Sequence, residues 1–234
     1  VTVTTTSGAI TDADAGAALD ISAVNGGAIL SAATGVGAVG GNATIEVQVV
    51  NLDLDNSTSG GMFVTDTAGG LTLRDLTGDG LSVSGVGGNG LITALSPLTI
   101  AASATTSGGM TYTATDSAGP GDNLLILPGV AITDTTSSLT FNAGDAFVLF
   151  DTATISAATT AAINIDAGNA DPGAGASAFI FGALAAPGGA AMNGHADNDT
   201  FNVTGPTATA LDGITAAVTV DGFGGVNSLF LNDS

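Results

Sequence analysis

Carboxylates are almost the only side chains in this sequence with the chemistry of a catalytic or metal-binding group. The chain has 21 acidic residues against one arginine, one histidine and no cysteine. Such a set allows two chemistries. A carboxylate pair about 5–10 Å apart can hydrolyse a glycosidic bond, and several carboxylate oxygens together can hold a hard cation such as Ca²⁺. Disulfides, thiolate metal sites and cysteine nucleophiles are excluded.

Two aspartate pairs have the spacing of a hydrolytic pair. Asp53 and Asp55 would face one side of a strand, and so would Asp12 and Asp14 if that segment is extended. Aspartates are spread along the whole chain, however, so chance pairs are expected. The chain has no tryptophan and one tyrosine to stack on a sugar, and Arg74 alone could neutralise an acidic sugar. We therefore expect a protein that is not an enzyme, with a glycan-active enzyme as the third choice of function.

The single histidine, His195, stands close to Asp197 and Asp199 and could form a metal site with them. A surface histidine in a turn rich in glycine, asparagine and aspartate is the favoured interpretation. No nucleophile elbow accompanies the histidine. Residues 85–90 are glycine-rich like a phosphate loop but lack its lysine and helix, which favours a corner in the chain.

The elements that must carry these side chains are short strands. Apolar triplets recur at near-regular spacing between residues 51 and 100, and glycine clusters separate them. Each triplet can be a strand, and each glycine cluster can be a corner. This pattern predicts an all-β chain wound into a β-solenoid, with a β-sandwich as the alternative. The triplets are residues 62–64, 71–73, 81–83, 91–93 and 98–100.

A weak internal repeat supports the winding. Segments that start at Ser7, Ser59 and Ser107 share the order Ser-Gly, apolar residue, Thr, Asp and Ala-Gly. Their starts are separated by about 50 residues, which is within the range of periods that repeat architectures show. If a strand comes about every nine residues and three strands make a coil, this spacing corresponds to about two coils.

We interpret residues 1–234 as one β-solenoid module, which can be a fragment of a longer chain. A distinct C-terminal portion, residues 190–234, is the alternative, because residues 166–200 are richer in glycine and alanine. No amphipathic capping helix is evident at either end. Exposed strand edges invite pairing with another chain, so we expect the ends to meet copies or neighbouring modules.

The charge excludes two classes of partner. The formal net charge is −20, whereas nucleic-acid binding needs a basic surface. Anionic membranes are disfavoured for the same reason, and no apolar run reaches the roughly 18 residues of a membrane span. The acidic residues are aspartates apart from Glu46, which favours turns and strands over helices.

Residues 7–22, 59–73 and 153–176 resemble the repeats of very large bacterial surface and secreted proteins of the filamentous-haemagglutinin-like and autotransporter-passenger kind. The resemblance implies a right-handed parallel β-helix, export to the cell surface or secretion, and a structural or adhesive role. We therefore expect a structural module of an extracellular fibre, sheath or surface layer that assembles end to end. An adhesin stalk that contacts glycans or a cell surface is the second choice.

A second resemblance is local. Residues 194–203 are similar to the glycine-aspartate nonapeptide of calcium-binding β-rolls, and residues 221–229 form a degenerate copy with Asn227 in place of an aspartate. The resemblance implies calcium bound through Asp197, Asp199 and Asp221. True β-rolls have consecutive copies, whereas a stretch of unrelated sequence separates these two. Ordinary turn aspartates are the alternative.

Overall fold

The structure, a computed structural model, describes residues 1–14, 18–39, 43–167, 170–171, 174–207 and 210–233. Over these ranges the chain is an all-β, right-handed parallel β-helix of about eight turns with nearly no helix. Every pairing between named strands there is parallel. The predicted β-solenoid is confirmed, and the sandwich alternative is wrong, because sandwich sheets are antiparallel.

The strands are short, apart from the second and third. In chain order they are β1 Thr2–Thr4, β2 Ile21–Ala32, β3 Ile45–Asn56, β4 Met62–Asp66, β5 Leu71–Leu73, β6 Leu81–Gly85, β7 Gly90–Ala94, β8 Leu98–Ile100, β9 Ser103–Thr106, β10 Met110–Ala114, β11 Leu124–Ile126, β12 Ala131–Asp134, β13 Leu139–Asn142, β14 Ala146–Leu149, β15 Thr154–Ala157, β16 Ala161–Asn164, β17 Ser177–Ile180, β18 Ala183–Ala185, β19 Ala190–Asn193, β20 Thr200–Val203, β21 Val218–Asp221 and β22 Ser228–Leu231. A 3-10 turn, Ala210–Gly213, lies between β20 and β21.

Register divides the strands into three columns. The first column stacks β4, β7, β10, β13, β16, β19 and β21. The second stacks β5, β8, β11, β14, β17, β20 and β22. The third stacks β6, β9, β12, β15 and β18. The long strands β2 and β3 pass through all three columns, and β1 pairs with the third-column part of β2.

The internal repeat has the predicted two-coil period. Ile10 pairs with Val36, which pairs with Met62. Met62 then pairs with Gly90, and Gly90 with Met110. The apolar residues that follow the three Ser-Gly pairs therefore stand two coils apart at the start of the first column. The Ala-Gly that closes the first repeat, residues 15–16, lies outside the described residues.

The core is a set of inward-facing stacks, one residue per coil. Strands alternate buried and half-buried residues, as in β10 and β13, because successive side chains point to opposite faces. The Tyr112 and Phe141 rings stack with centroids 5.5 Å apart and planes 10° apart. Complete burial of each large apolar side chain stabilises the fold by about 1.5–3 kcal/mol. The first-column stack is Val64, Ile92, Tyr112, Phe141, Ile163 and Met192.

Three strands have sequences with at most one large apolar residue each, which gives little signal for prediction. They are β9, which is mostly serine and threonine, and the alanine-rich β18 and β19. Each is bonded to the equivalent strand of a neighbouring coil, so its backbone is satisfied without a strongly apolar sequence. Their inward residues are small or flexible, such as Ala104 and Met192. Tertiary pairing decides the conformation at these positions.

An amide ladder runs along the outer face of the first column. Nδ2 of Asn164 donates to Oδ1 of Asn142 at 2.8 Å, and Nδ2 of Asn193 donates to Oδ1 of Asn164 at 2.8 Å. Nδ2 of Asn142 donates to the Thr113 hydroxyl oxygen at 3.1 Å. The ladder links four successive coils on the half-buried outer surface.

Close coil stacking requires glycine at certain corners. Gly60 has φ of 90°, and a Cβ built on it would lie 2.1 Å from the Thr34 carbonyl oxygen of the preceding coil. Gly78 has a similar φ of 86°, but a Cβ there would meet nothing within 4 Å. Any other residue would be strained by the positive φ at both positions. Only at Gly60 would its side chain also clash with the neighbouring coil.

We predict that Gly60→Ala lowers the free energy of unfolding by about 3–5 kcal/mol, because it adds a clash with the neighbouring coil to the left-handed backbone strain. Gly78→Ala, the matched control, introduces only the strain and should cost about 1–2 kcal/mol. Thermal unfolding followed by circular dichroism measures both. Equal losses for the two variants would contradict the coil packing described here.

One carboxylate is enclosed at the end of β4. Asp66 is fully buried, and its Oδ1 accepts the Val49 N–H at 3.4 Å, whereas Oδ2 has no partner. Burial raises the pKa of Asp66 to about 6, although the N–H groups of Val49 and Ala68 act in the opposite direction. The folded state therefore holds a proton here more tightly than the unfolded chain does.

We predict that Asp66→Asn stabilises the protein at pH 7.5 and not at pH 4. A folded pKa raised above the unfolded value gives stability that is complete below about pH 4 and is lost as the pH rises through 6. The neutral amide of asparagine does not ionise and so does not lose this stability. The free energy of unfolding of the variant should therefore exceed that of the wild type by roughly 1–3 kcal/mol at pH 7.5. Thermal unfolding of both proteins between pH 4 and 8 measures the difference. A gain that is independent of pH would be evidence against a buried ionised Asp66.

Candidate functional site

The predicted calcium residues lie at the first corner, between the first and second columns, in the last coils. Asp199, just before β20, has an exposed fraction of 1%. Its Oδ1 accepts the Ala176 N–H at 3.0 Å, and its Oδ2 accepts the His195 N–H at 3.0 Å. Asp199 therefore satisfies two corner N–H groups that no strand pairing reaches.

The same device recurs along the first corner. The Asp122 N–H donates to Oδ2 of Asp145 at 2.8 Å, and the Asp199 N–H donates to Oδ1 of Asn227 at 2.7 Å. A side-chain oxygen of each later coil thus accepts the N–H of the residue stacked one coil earlier. An amide oxygen can accept this hydrogen bond as well as a carboxylate oxygen can. The presence of Asn227 in the degenerate copy is therefore explained by hydrogen bonding and does not require a bound ion.

The other two predicted ligands occupy different surroundings. Asp221 ends β21, in register with Asn193, and its Oδ1 accepts the Phe223 N–H at 2.9 Å. Oδ2 of Asp197 is buried and has no hydrogen-bond partner. Calcium at Asp197, Asp199 and Asp221 stays a prediction, and the structure provides hydrogen-bonding roles for Asp199 and Asp221.

Two other acidic groups converge in the described part of the chain. Each brings three carboxylates together with one oxygen apiece, all within 4.8 Å of one another. The first group lies in the loop before β2, and the second lies at the first corner on three successive coils. The groups are Asp12, Asp14 and Asp20, and Asp116, Asp145 and Asp171.

The sequence analysis missed the second group, although a signal for it exists. The interval from Asp116 to Asp145 equals that from Met110 to Leu139, two residues that pair across one coil. Aspartates separated by one coil length stack at the same corner. Coil length is not constant, because Gly90 pairs with Met110 across a much shorter stretch of chain. The register therefore has to be known before this signal can be used.

The predicted hydrolytic pair Asp53 and Asp55 is engaged in structural contacts. Oδ2 of Asp53 accepts the N–H groups of Leu76 and Thr77 at 2.7 and 3.0 Å. Burial raises the pKa of Asp53, and these N–H groups act in the opposite direction. Oδ2 of Asp55 accepts the Ser31 hydroxyl at 3.1 Å. The Asp53 carboxylate anchors the loop after β5.

The C-terminal end of the winding exposes strand edges and core side chains. In the described residues β21 pairs only with β19, and β22 pairs only with β20. Leu229 and Leu231 are 49% and 64% exposed, although the residues stacked above them, Phe201 and Val203, are buried. An apolar cavity of about 270 Å³ opens there, between the 3-10 turn and the last strands.

Part of the β22 edge is free to bond outward. The Ser228 N–H donates to the Asp199 carbonyl oxygen, and the Asn232 N–H donates to the Val203 carbonyl oxygen. Since alternate residues of a parallel strand bond to the same neighbour, the N–H groups of Leu229 and Leu231 point away from β20. This end has the chemistry of a surface that accepts another parallel strand.

Comparison with protein-family models, curated proteins and solved structures found no match for this chain. Among the described residues, no helix has the length and apolar character to cross a membrane.

We predict that Asp199→Ala lowers the free energy of unfolding of the C-terminal coils by about 2–4 kcal/mol, because two N–H groups lose their acceptor. Asp212→Ala removes the same charge from an exposed position of the 3-10 turn and should change it by less than about 0.5 kcal/mol. Thermal unfolding is measured in a chelator, so that ion binding cannot contribute. If the two variants behave alike, Asp199 does not support the corner.

Proposed function

We propose that this protein is a structural module of an extracellular bacterial fibre, sheath or surface layer, and that it assembles end to end by β-strand pairing. The open C-terminal end carries the proposal. Two strand edges and an apolar cavity lie there together. A further parallel coil would cover the edges and the cavity.

Exposure of this end is unfavourable for an isolated module. Five apolar side chains of the last coil, including Phe223 and Val226, are between 49% and 80% exposed. Burial of such side chains stabilises an interface by about 25 cal/mol per Å² of apolar surface. The unpaired N–H groups add direction, because they bond only to a strand in the correct register. Apolar surface thus favours association, and the strand edge selects end-to-end geometry.

The opposite end offers a matching edge. After β22, in the second column, the winding would continue into the third column. In the described residues β1 is a third-column strand, and it pairs with β2 on one side only. A second copy can therefore place its β1 where the next strand of the winding would lie, and it preserves the parallel direction and the hand of the helix.

Charge sets the condition for assembly. Each copy has a formal net charge of −20, so two copies repel at low ionic strength. At 0.15 M salt the Debye length is about 8 Å, so exposed charges on two copies that lie farther apart than this are largely screened, whereas buried apolar contacts are unaffected. We therefore propose assembly that strengthens with ionic strength. The same repulsion favours the second candidate, a single adhesin stalk whose ends are covered by other modules.

We predict that the purified protein forms unbranched filaments in about 0.15 M salt and that Leu229→Pro prevents them. Proline removes an N–H that points away from β20, and its ring occupies the path of the next strand. No hydrogen bond to β20 is lost, so the thermal midpoint should change little. Negative-stain microscopy and sedimentation measure the assembly.

Leu229→Ala is the matched control. It keeps the outward N–H and removes only apolar surface, so filaments should form but require a higher protein concentration. Monodisperse rods of the wild-type protein at every ionic strength would overturn self-assembly and support the stalk. Filaments formed equally well by Leu229→Pro would show that the modules associate through another surface.

A further inference from the structure

The acidic group at the first corner is built from three successive coils. Asp116 follows β10, Asp145 precedes β14, and Asp171 precedes β17. One carboxylate oxygen from each lies within 4.8 Å of the other two. Like charges at this separation repel unless a proton or a cation lies between them.

The hydrogen bonds of the group leave oxygens unused. Oδ2 of Asp145 accepts the N–H of Gly121 and, at 2.8 Å, that of Asp122, and Oδ2 of Asp116 accepts the Ala170 N–H. Oδ1 of Asp116 is buried and has no hydrogen-bond partner. A buried carboxylate oxygen without a donor is costly, and coordination of a cation is one way to satisfy it.

A fourth carboxylate provides an independent observation. Asp166 is 3% exposed, and its Oδ2 has no hydrogen-bond partner. Its N–H donates to the Gly144 carbonyl oxygen at 2.9 Å. A Cβ built on Gly144 would lie 2.8 Å from Cα of Asp116. Gly144 therefore contacts both Asp116 and the main chain of Asp166.

Asp166 lies near charges of both signs. Burial raises its pKa to about 6; His195 lowers that pKa, whereas the negative charges of Asp116, Asp197 and Asp199 raise it further. The Asp166 carboxylate therefore lies within electrostatic range of Asp116 and also of His195, Asp197 and Asp199.

Protein cations are scarce in this region. The sequence has one arginine, Arg74, which follows β5 at the corner between the second and third columns. His195 is the basic side chain whose charge acts on Asp166. A bound cation is thus the remaining source of positive charge for the group.

We infer that the first corner binds a divalent cation of the calcium type through Asp116, Asp145 and Asp171, with Asp166 beside them as a further oxygen donor. Ca²⁺ takes six to eight oxygen ligands in flexible geometry, whereas Mg²⁺ demands a small octahedron and keeps its waters. Carboxylates on three coils suit the larger ion. The three ligands differ from the predicted trio Asp197, Asp199 and Asp221, although Asp166 lies within electrostatic range of Asp197 and Asp199.

Such an ion would link three coils at one corner. It would also neutralise part of the repulsion that the acidic surface imposes on the fold. Strand pairing, by contrast, joins each coil only to its neighbours.

The test is calcium binding by the whole chain after treatment with a chelator. Isothermal titration calorimetry with CaCl₂ in about 0.15 M NaCl, a salt level that screens exposed charges, should show saturable binding that MgCl₂ reproduces only weakly. Asp171→Asn should weaken calcium binding by about tenfold or more, since it removes a charged ligand. Asp221→Asn, the same change in the other trio, should leave the affinity unchanged.

Thermal unfolding gives a second readout. Without calcium, Asp171→Asn should raise the thermal midpoint, because it removes a repelling charge. With calcium, it should reduce the rise in midpoint that the wild-type protein shows. A structural role for Asp171 would instead lower both midpoints. The inference is overturned if calcium does not bind, if Asp171→Asn binds it as well as wild type, or if Asp221→Asn alone abolishes binding.

Discussion

Hydrogen bonding between successive coils is the constraint on which the rest of this structure depends. Most of the strands are short, and an isolated strand of three to five residues has no stability of its own. Parallel pairing with the coil above and the coil below satisfies the backbone on both sides. Once the register is set, every inward residue stacks on its equivalent, so Val64, Ile92 and Tyr112 form one continuous core.

The sequence predicted the parts of the fold that depend on local pattern. Apolar triplets with glycine between them gave the strands β4 to β8, and the repeat at Ile10, Met62 and Met110 gave the two-coil period. It did not predict β9, β18 or β19, which have at most one large apolar residue each. These strands form because the adjacent coils supply partners, and a pattern read within one segment contains no information about partners in another.

The same limit applies to the acidic sites. Local spacing drew attention to Asp53 with Asp55 and to Asp197 with Asp199, pairs that are close in sequence. The winding instead brings together Asp116, Asp145 and Asp171, which are distant in sequence and unequally spaced. Coils of unequal length prevent a fixed period from revealing such a group. Two residues of a solenoid lie close together when they occupy the same corner of neighbouring coils. The register of the strands determines which corner and which coil each residue occupies.

The corner hydrogen bonds are one reason for the acidic residues at the first corner. At the first corner, side-chain oxygens accept N–H groups between coils, as Asp145 and Asp199 do, and this role needs an acceptor at successive coils. Lysine and arginine offer no acceptor. The resulting charge opposes lateral association through the corners, whereas the exposed Leu229 and Leu231 at the open end are apolar. In the proposed assembly, repulsion along the sides and apolar contact at the end would both favour addition along the helix axis, which is the direction in which strand pairing continues.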